Sequence, residues 1–189
     1  MIVMGSNSEL DPRSVANVML AFATRRNITL THVAIQKLVY FAHATYLVRH
    51  NRPLVSGYFE AWEHGPVHRV LYNSLKRYGR QAVSQPIERS DPFSGKTHLA
   101  DAITDLEVVD HIEEITRQLG HLPAGFLIEL SHAKGGPWDH IWNKSKTEPV
   151  LGNRISDTVT KQLFSRIKTG VPLAPRSGDV DEASPVTDD

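Results

Sequence analysis

The feature that most constrains this chain is a run of apolar residues that spills around most of a helix. Between His32 and Arg49, Ala34, Leu38, Phe41, Ala42, Thr45 and Val48 recur at helical spacing, and Ile35, Val39, Tyr46 and Leu47 widen that stripe well past one face. Thr31 can cap the free amides at the start, and Asn51-Arg52-Pro53 stops the run. A helix that is apolar on most sides is buried on most sides. Other helices must wrap it. The expected fold is mainly α: a single compact helical domain around a buried central helix, with a small β element.

The flanking sequence supplies the wrapping. Asp11-Pro12 opens a first helix, with Asp as cap and Pro at the first helical position. Val15, Val18, Met19 and Phe22 share one face of it, and Arg25-Arg26 close it at the negative pole of the helix dipole. The stretch Gly57 to Trp62 is aromatic and alternating, which suits a short strand or an extended segment. Gly65-Pro66 is expected to start a third helix, with Val67, Val70, Leu71, Ser74, Leu75 and Tyr78 on one face and Gly79 as its stop. Residues 80–100 are polar and broken by Pro86, Pro92 and Gly95, a long loop with room for a short hairpin. A fourth helix over Ala102–Leu119 turns Val108, Ile112, Ile115 and Leu119 inward. Short helices follow Pro123 and the Gly135-Gly136-Pro137-Trp138 turn, and a last one starts near Ser156 with Ile155, Val159, Leu163 and Ile167. The tail mixes Pro172, Pro175 and Pro185 with Asp179, Asp181 and Glu182, too polar to offset its ordering entropy. The expected division is a flexible N-terminus over residues 1–10, a helical domain over 11–170, and a disordered acidic, Pro-rich tail over 171–189.

Charge argues by its balance and by its distribution. The formal net charge is zero, so nothing overall calls for nucleic acid or a membrane surface. Locally, Arg49, Arg52, Arg69, Lys76, Arg77 and Arg80 face only Glu60 and Glu63 in sequence, while Asp101, Asp105, Glu107, Asp110, Glu113 and Glu114 run without a cation. These are two solvated faces or two patches that steer a charged partner. The absence of cysteine removes disulfides and thiolate chemistry and suits a reducing cytoplasm. No basic-then-apolar leader and no apolar stretch near the ~20 residues of a membrane span are present, so a cytoplasmic protein without a membrane partner is expected.

Catalytic patterns are missing. There is no phosphate-cradling glycine loop and no Gly-x-Ser-x-Gly elbow. His64 and His68 are separated by Gly65-Pro66, and no His-Glu-x-x-His pattern occurs, so neither metal nor other cofactor is expected. Glu60 and Glu63 suit salt bridges better than acid/base chemistry. The first two helices could mimic a helix-turn-helix, but the second is too apolar to present a recognition face, so DNA binding is not expected.

The sequence does carry an ordered set of motifs. Gln36-Lys37 precedes Leu38 to Leu47; Asn51 to Leu54 follows; then Phe59 to Val67; then Leu71-Tyr72, Leu75-Lys76 and Tyr78-Gly79. This set resembles the Panacea domain, the SocA-like antitoxin and phage-associated protein family, strongly over residues 30–79 and loosely through Ser131-His132 and Pro137-Trp138 to the last helix. The resemblance implies no catalysis. It implies an antitoxin of a toxin–antitoxin system that neutralises a cognate toxin protein by direct binding. Many such toxins act on translation, small alarmone synthetase-like enzymes among them. One branch of the family is instead a proteolytic adaptor that delivers its toxin to a Clp protease, which stands as the alternative here, ahead of a metalloenzyme using Glu60, Glu63, His64 and His68. A homodimer and a toxin–antitoxin hetero-oligomer both stay open. The candidate partner-binding residues are Glu60, Trp62, Glu63, Tyr72, Lys76, Arg77, Tyr78 and Arg80: aromatic residues of the kind found at interface hot spots, with the charged groups around them.

Overall fold

The computed structural model describes residues 9–148 and 151–166. Ile167, the tail over 171–189 and residues 1–8 of the expected N-terminal segment lie outside that range. The chain opens with α1 (Pro12–Arg25), where the Asp11 carboxylate accepts from the Arg13 amide, and continues with α2 (His32–His50), where the Thr31 hydroxyl accepts from the Ala34 amide. Asn51 ends α2 in the left-handed conformation at φ 55°. Every residue of α2 from Ala34 to Leu47 is buried, on all sides of the helix. It touches α1, and the later elements β2 (Gly65–His68), α3 (Arg69–Leu75), α4 (Leu106–Leu119), α5 (Ala124–Ser131) and α7 (Asp157–Phe164). The mainly helical expectation holds.

The sheet element has two parts. β1 (Phe59–Trp62) pairs antiparallel with β2, with Phe59 opposite His68 and Trp62 opposite Gly65, and on its other side with β5 (Arg154–Ile155). The order is β2-β1-β5, which leaves β2 at an edge. A second hairpin joins β3 (Glu88–Ser90) to β4 (Thr97–Leu99). The remaining helix, α6 (Pro137–Lys144), lies against β1 and β5. No helix among the described residues is long and apolar enough to cross a membrane.

Gly65-Pro66 does not start a helix. It opens β2, and α3 begins only at Arg69. The reason lies in α2. The outer edge of β2 offers the Pro66 carbonyl and both backbone groups of His68. Lys37 Nζ donates to Pro66 O at 2.9 Å; the Gln36 amide donates to His68 O at 3.3 Å and accepts from His68 N at 3.0 Å. Pro66 has no amide to leave unsatisfied, so proline is tolerated at this edge. The shift also rotates α3. Leu71 and Leu75 are buried as expected, but Val70 turns outward at 42% exposure. Lys76–Tyr78 forms a 3-10 turn rather than the end of α3. Likewise α4 starts at Leu106, not Ala102. The Ala100 amide still bonds Ile87 O at the foot of the β3–β4 hairpin, and Asp105 is the cap.

Two buried histidines tie helices together. His43 Nδ1 accepts from the Val55 amide at 3.3 Å, which places its proton on Nε2, 3.0 Å from the Asp157 carboxylate at the start of α7. His111 of α4 donates from Nε2 to the Ala42 carbonyl of α2 at 2.9 Å, and burial pushes its pKa down to about 4. Tyr40 is 1% exposed and packs edge-on against Phe59 and Phe164; its hydroxyl is held protonated by burial.

Candidate functional site

The first turns of α2, the β1–β2 hairpin and α3 enclose a cavity of about 230 Å³. Trp62 and Tyr72 form one wall, with ring centroids 4.9 Å apart at 61°. His32 meets Tyr72 edge-on at 6.4 Å. Val33 and Val67 add apolar surface, Lys37 contributes from α2, and Glu63 with His64 stands at the hairpin turn. Trp62 is fixed at both ends. Its indole Nε1 donates to Glu60 Oε2 at 2.8 Å, and its carbonyl accepts from Trp138 Nε1 at 2.8 Å.

Electrostatically the cavity is unusual for its buried nitrogen bases. Lys37 is 1% exposed, and its hydrogen bond to Pro66 O is made without a carboxylate within ion-pair distance among the described residues. Burial alone pushes its amine down to about 7. Burial lowers His32 as well, and the neighbouring Lys37 charge adds to that; His32 Nδ1 is buried without a hydrogen-bond partner among the described residues. Behind them, His132 is lowered by burial, Lys37 and His64, while its ring stacks on Trp138 at 3.6 Å. Gly65 sits over Lys37 and Ser131 at φ +94°. A Cβ there would come within 2.5 Å of Ser131 Oγ and 2.9 Å of Lys37 Cε, so only glycine fits.

The candidate residues fall into two neighbouring places. Trp62, Glu63 and Tyr72 line the small cavity. Arg77 and Tyr78 line a second cleft of about 490 Å³ between α3 and the β3–β4 hairpin, where the Arg77 guanidinium lies 5.2 Å from the Tyr78 ring centroid. Lys76 and Arg80 are exposed and line neither. Glu60 is different: it is 3% exposed, and its carboxylate is taken by Arg69 at 2.8 and 3.1 Å and by Trp62. Burial pulls its pKa up, but those hydrogen bonds outweigh it and the carboxyl stays below its usual range. Its part is to set Trp62 and Arg69. Sequence reasoning missed His32, Gln36 and Lys37 as parts of this site, because on α2 they read as the polar remnant of a core helix.

Several polar side chains in and around the site are engaged in local hydrogen bonds. Ser131 Oγ donates to Ile128 O at 2.7 Å, not to Lys37, so no serine–lysine pair is formed. His68 Nε2 donates to the Ser56 carbonyl at 2.9 Å. Among the described residues no cluster of three or more His, Asp or Glu side chains could hold a metal ion. The hollow itself is aromatic-walled and mostly apolar, with the Arg69 guanidinium 5.8 Å from the Trp62 ring centroid.

Comparison with known proteins gives a concordant picture. The family model described as "Antitoxin SocA-like, Panacea domain" matches residues 35–139, which hold Lys37, the β1–β2 hairpin and α3. Antitoxin SocA of Caulobacter vibrioides (strain NA1000 / CB15N) is 39% identical over 176 residues, covering 93% of this chain and 94% of that one. No solved structure matches the chain.

Proposed function

The chain belongs to the family of SocA-like antitoxins with a Panacea domain, and on that premise we propose that it is the antitoxin of a toxin–antitoxin pair and neutralises its cognate toxin by direct protein–protein binding. The observation that carries this reading is the 39% identity with an antitoxin across nearly the full length of both chains. The protein works by occupying its partner, not by turnover. The family resemblance supports a toxin that acts on translation, small alarmone synthetase-like enzymes among the kinds to be met.

The toxin meets the face built by α2, the β1–β2 hairpin and α3. Three physical features support this placement. The cavity there is walled by half-buried Trp62 and Tyr72, whose partly exposed rings can still lose water on docking. Arg77 lines the second cleft, beside α3, and Lys76 and Arg80 are exposed in the segment that follows that helix, placed to steer an acidic surface. Arg69 is held by Glu60 and reaches over the Trp62 ring at 5.8 Å, which keeps a cation at the rim.

The test is co-expression with the product of the neighbouring gene, scoring growth and then co-purification. Growth restored together with a stable complex supports the reading, and Tyr72→Ala or Trp62→Ala then weakens the complex by roughly 30-fold or more if these are hot spots. Growth restored while the toxin vanishes without a complex favours the adaptor mechanism instead. A harmless neighbour refutes the pairing.

A further inference from the structure

The β3–β4 hairpin ends in a fully exposed aromatic ring. Phe93 is 98% exposed, more than any other large apolar side chain of the described residues. Isolated exposed apolar residues need no explanation in themselves. Here the backbone that carries the ring is fixed from root to tip.

At the root, Ile87 is 3% exposed, and Asn17 of α1 grips its backbone in both directions, accepting from Ile87 N at 2.7 Å and donating to Ile87 O at 3.0 Å. The stem pairs Glu88 with Leu99, Arg89 with His98 and Ser90 with Thr97. At the tip, Asp91 organises the turn. Its Oδ1 accepts the amides of Phe93 at 2.9 Å and Ser94 at 2.6 Å, its carbonyl accepts from Gly95 at 2.9 Å, and its amide donates to Lys96 O at 2.8 Å. Those bonds also hold the Asp91 carboxyl below its usual range. Gly95 at φ +67° closes the loop. The tip is thus ordered around a ring that contributes nothing to the core. An aromatic side chain on a fixed backbone has only two torsions to lose on docking, which is how anchor residues give affinity at low entropic cost.

Position adds the second argument. Ser90 and Thr97, the last paired residues before the tip, line the cleft shared with Arg77 and Tyr78. The finger therefore borders the face assigned above to the toxin. We propose that Phe93 is an anchor of the antitoxin–toxin interface, inserted into an apolar, phenyl-sized pocket on the toxin while the toxin surface covers the cleft beside Tyr78. The inference rests on the direct-binding reading and adds the hairpin to it.

The experiment uses the full chain and the product of the neighbouring gene, with affinity read by calorimetry and neutralisation by growth. Phe93→Ser is expected to weaken binding by roughly 30-fold or more with an unchanged thermal midpoint, since the ring packs on nothing. Phe93→Trp restores most of the affinity. Asp91→Ala, which keeps the ring but frees the turn, weakens binding several-fold. If wild type binds and Phe93→Ser binds within about twofold of it, the anchor is refuted while the antitoxin reading survives. If wild type itself forms no complex, the direct-binding reading falls and the anchor with it. If Phe93→Ser instead abolishes a dimer of the free chain and leaves toxin binding intact, the ring serves a second copy and the assignment is overturned.

Discussion

Replacing Lys37 by methionine separates two roles that one buried amine combines. Lys37 is 1% exposed and its amine is pushed from 10.5 down to about 7, so at neutral pH the folded protein holds it about half protonated while the unfolded chain protonates it fully. Between about pH 7 and 10.5 the unfolded state binds the extra proton. Stability from this group must therefore rise with pH across that window and fall away as pH drops through it. Each pH unit is worth about 1.4 kcal/mol, so the ceiling across the window is about 5 kcal/mol. Methionine fills a similar volume but removes the donor to Pro66 O, and a buried carbonyl left unsatisfied costs about 1–3 kcal/mol. Toward pH 10.5, where the amine is neutral in both states, the variant should be less stable by about that amount; near pH 9 the two proteins should be about equal, and near pH 6, where the wild type carries the full cost of about 5 kcal/mol, the gap reverses. Urea melts of both proteins followed by tryptophan fluorescence from pH 6 to 10 give the difference directly, and titrations common to both cancel. Wild-type and variant profiles that run parallel from pH 7 to 10 would refute the reasoning, because they would mean that the amine is solvated or paired in the folded state.

Two further outcomes follow from the same physics. His111, lowered from 6.5 to about 4 by burial against α2, favours the neutral ring, so wild-type stability should fall as pH drops between those values by at most about 3 kcal/mol; acid melts of His111→Gln should show a shallower decline. Gln36→Met should cost about 2–4 kcal/mol in a denaturant midpoint experiment, since it strips the His68 amide and carbonyl of their partners at the edge of β2; a cost below about 0.5 kcal/mol would mean that water reaches that edge.

Much of the helical frame was legible because its signals are local. Asp11 and Thr31 announce α1 and α2 by an oxygen one residue before a periodic run, and both side chains cap as expected; the sequence places the start of the last helix near Ser156, which proves to be the cap of α7. The Gly65-Pro66 reading failed for a nonlocal reason. Proline suits the first turn of a helix and the outer edge of a sheet equally well, and here the choice is made by Lys37 and Gln36, 29 and 32 residues away from the groups they bond. The same distance hid the site. Trp62 and Tyr72 were recognisable as aromatic candidates, but the cavity between them needs His32 and Lys37 from a helix that reads as pure core. Phe93 escaped because a ring in a polar loop looks incidental until Asp91 is seen to hold its backbone.

The central position of α2 also governs how the protein comes apart. Elements from both ends of the described chain, α1 on one side and α7 on the other, use the same helix as their wall. Detaching any one of them uncovers a strip of α2 that is apolar nearly all round, and no remaining subset encloses it. Opening should thus be cooperative, with the α2 amides exchanging their hydrogens only when the whole molecule unfolds. A protease that captures the opened chain then meets no surviving half. The protein is either entire or lost, and its lifetime in a cell is set by a single global equilibrium.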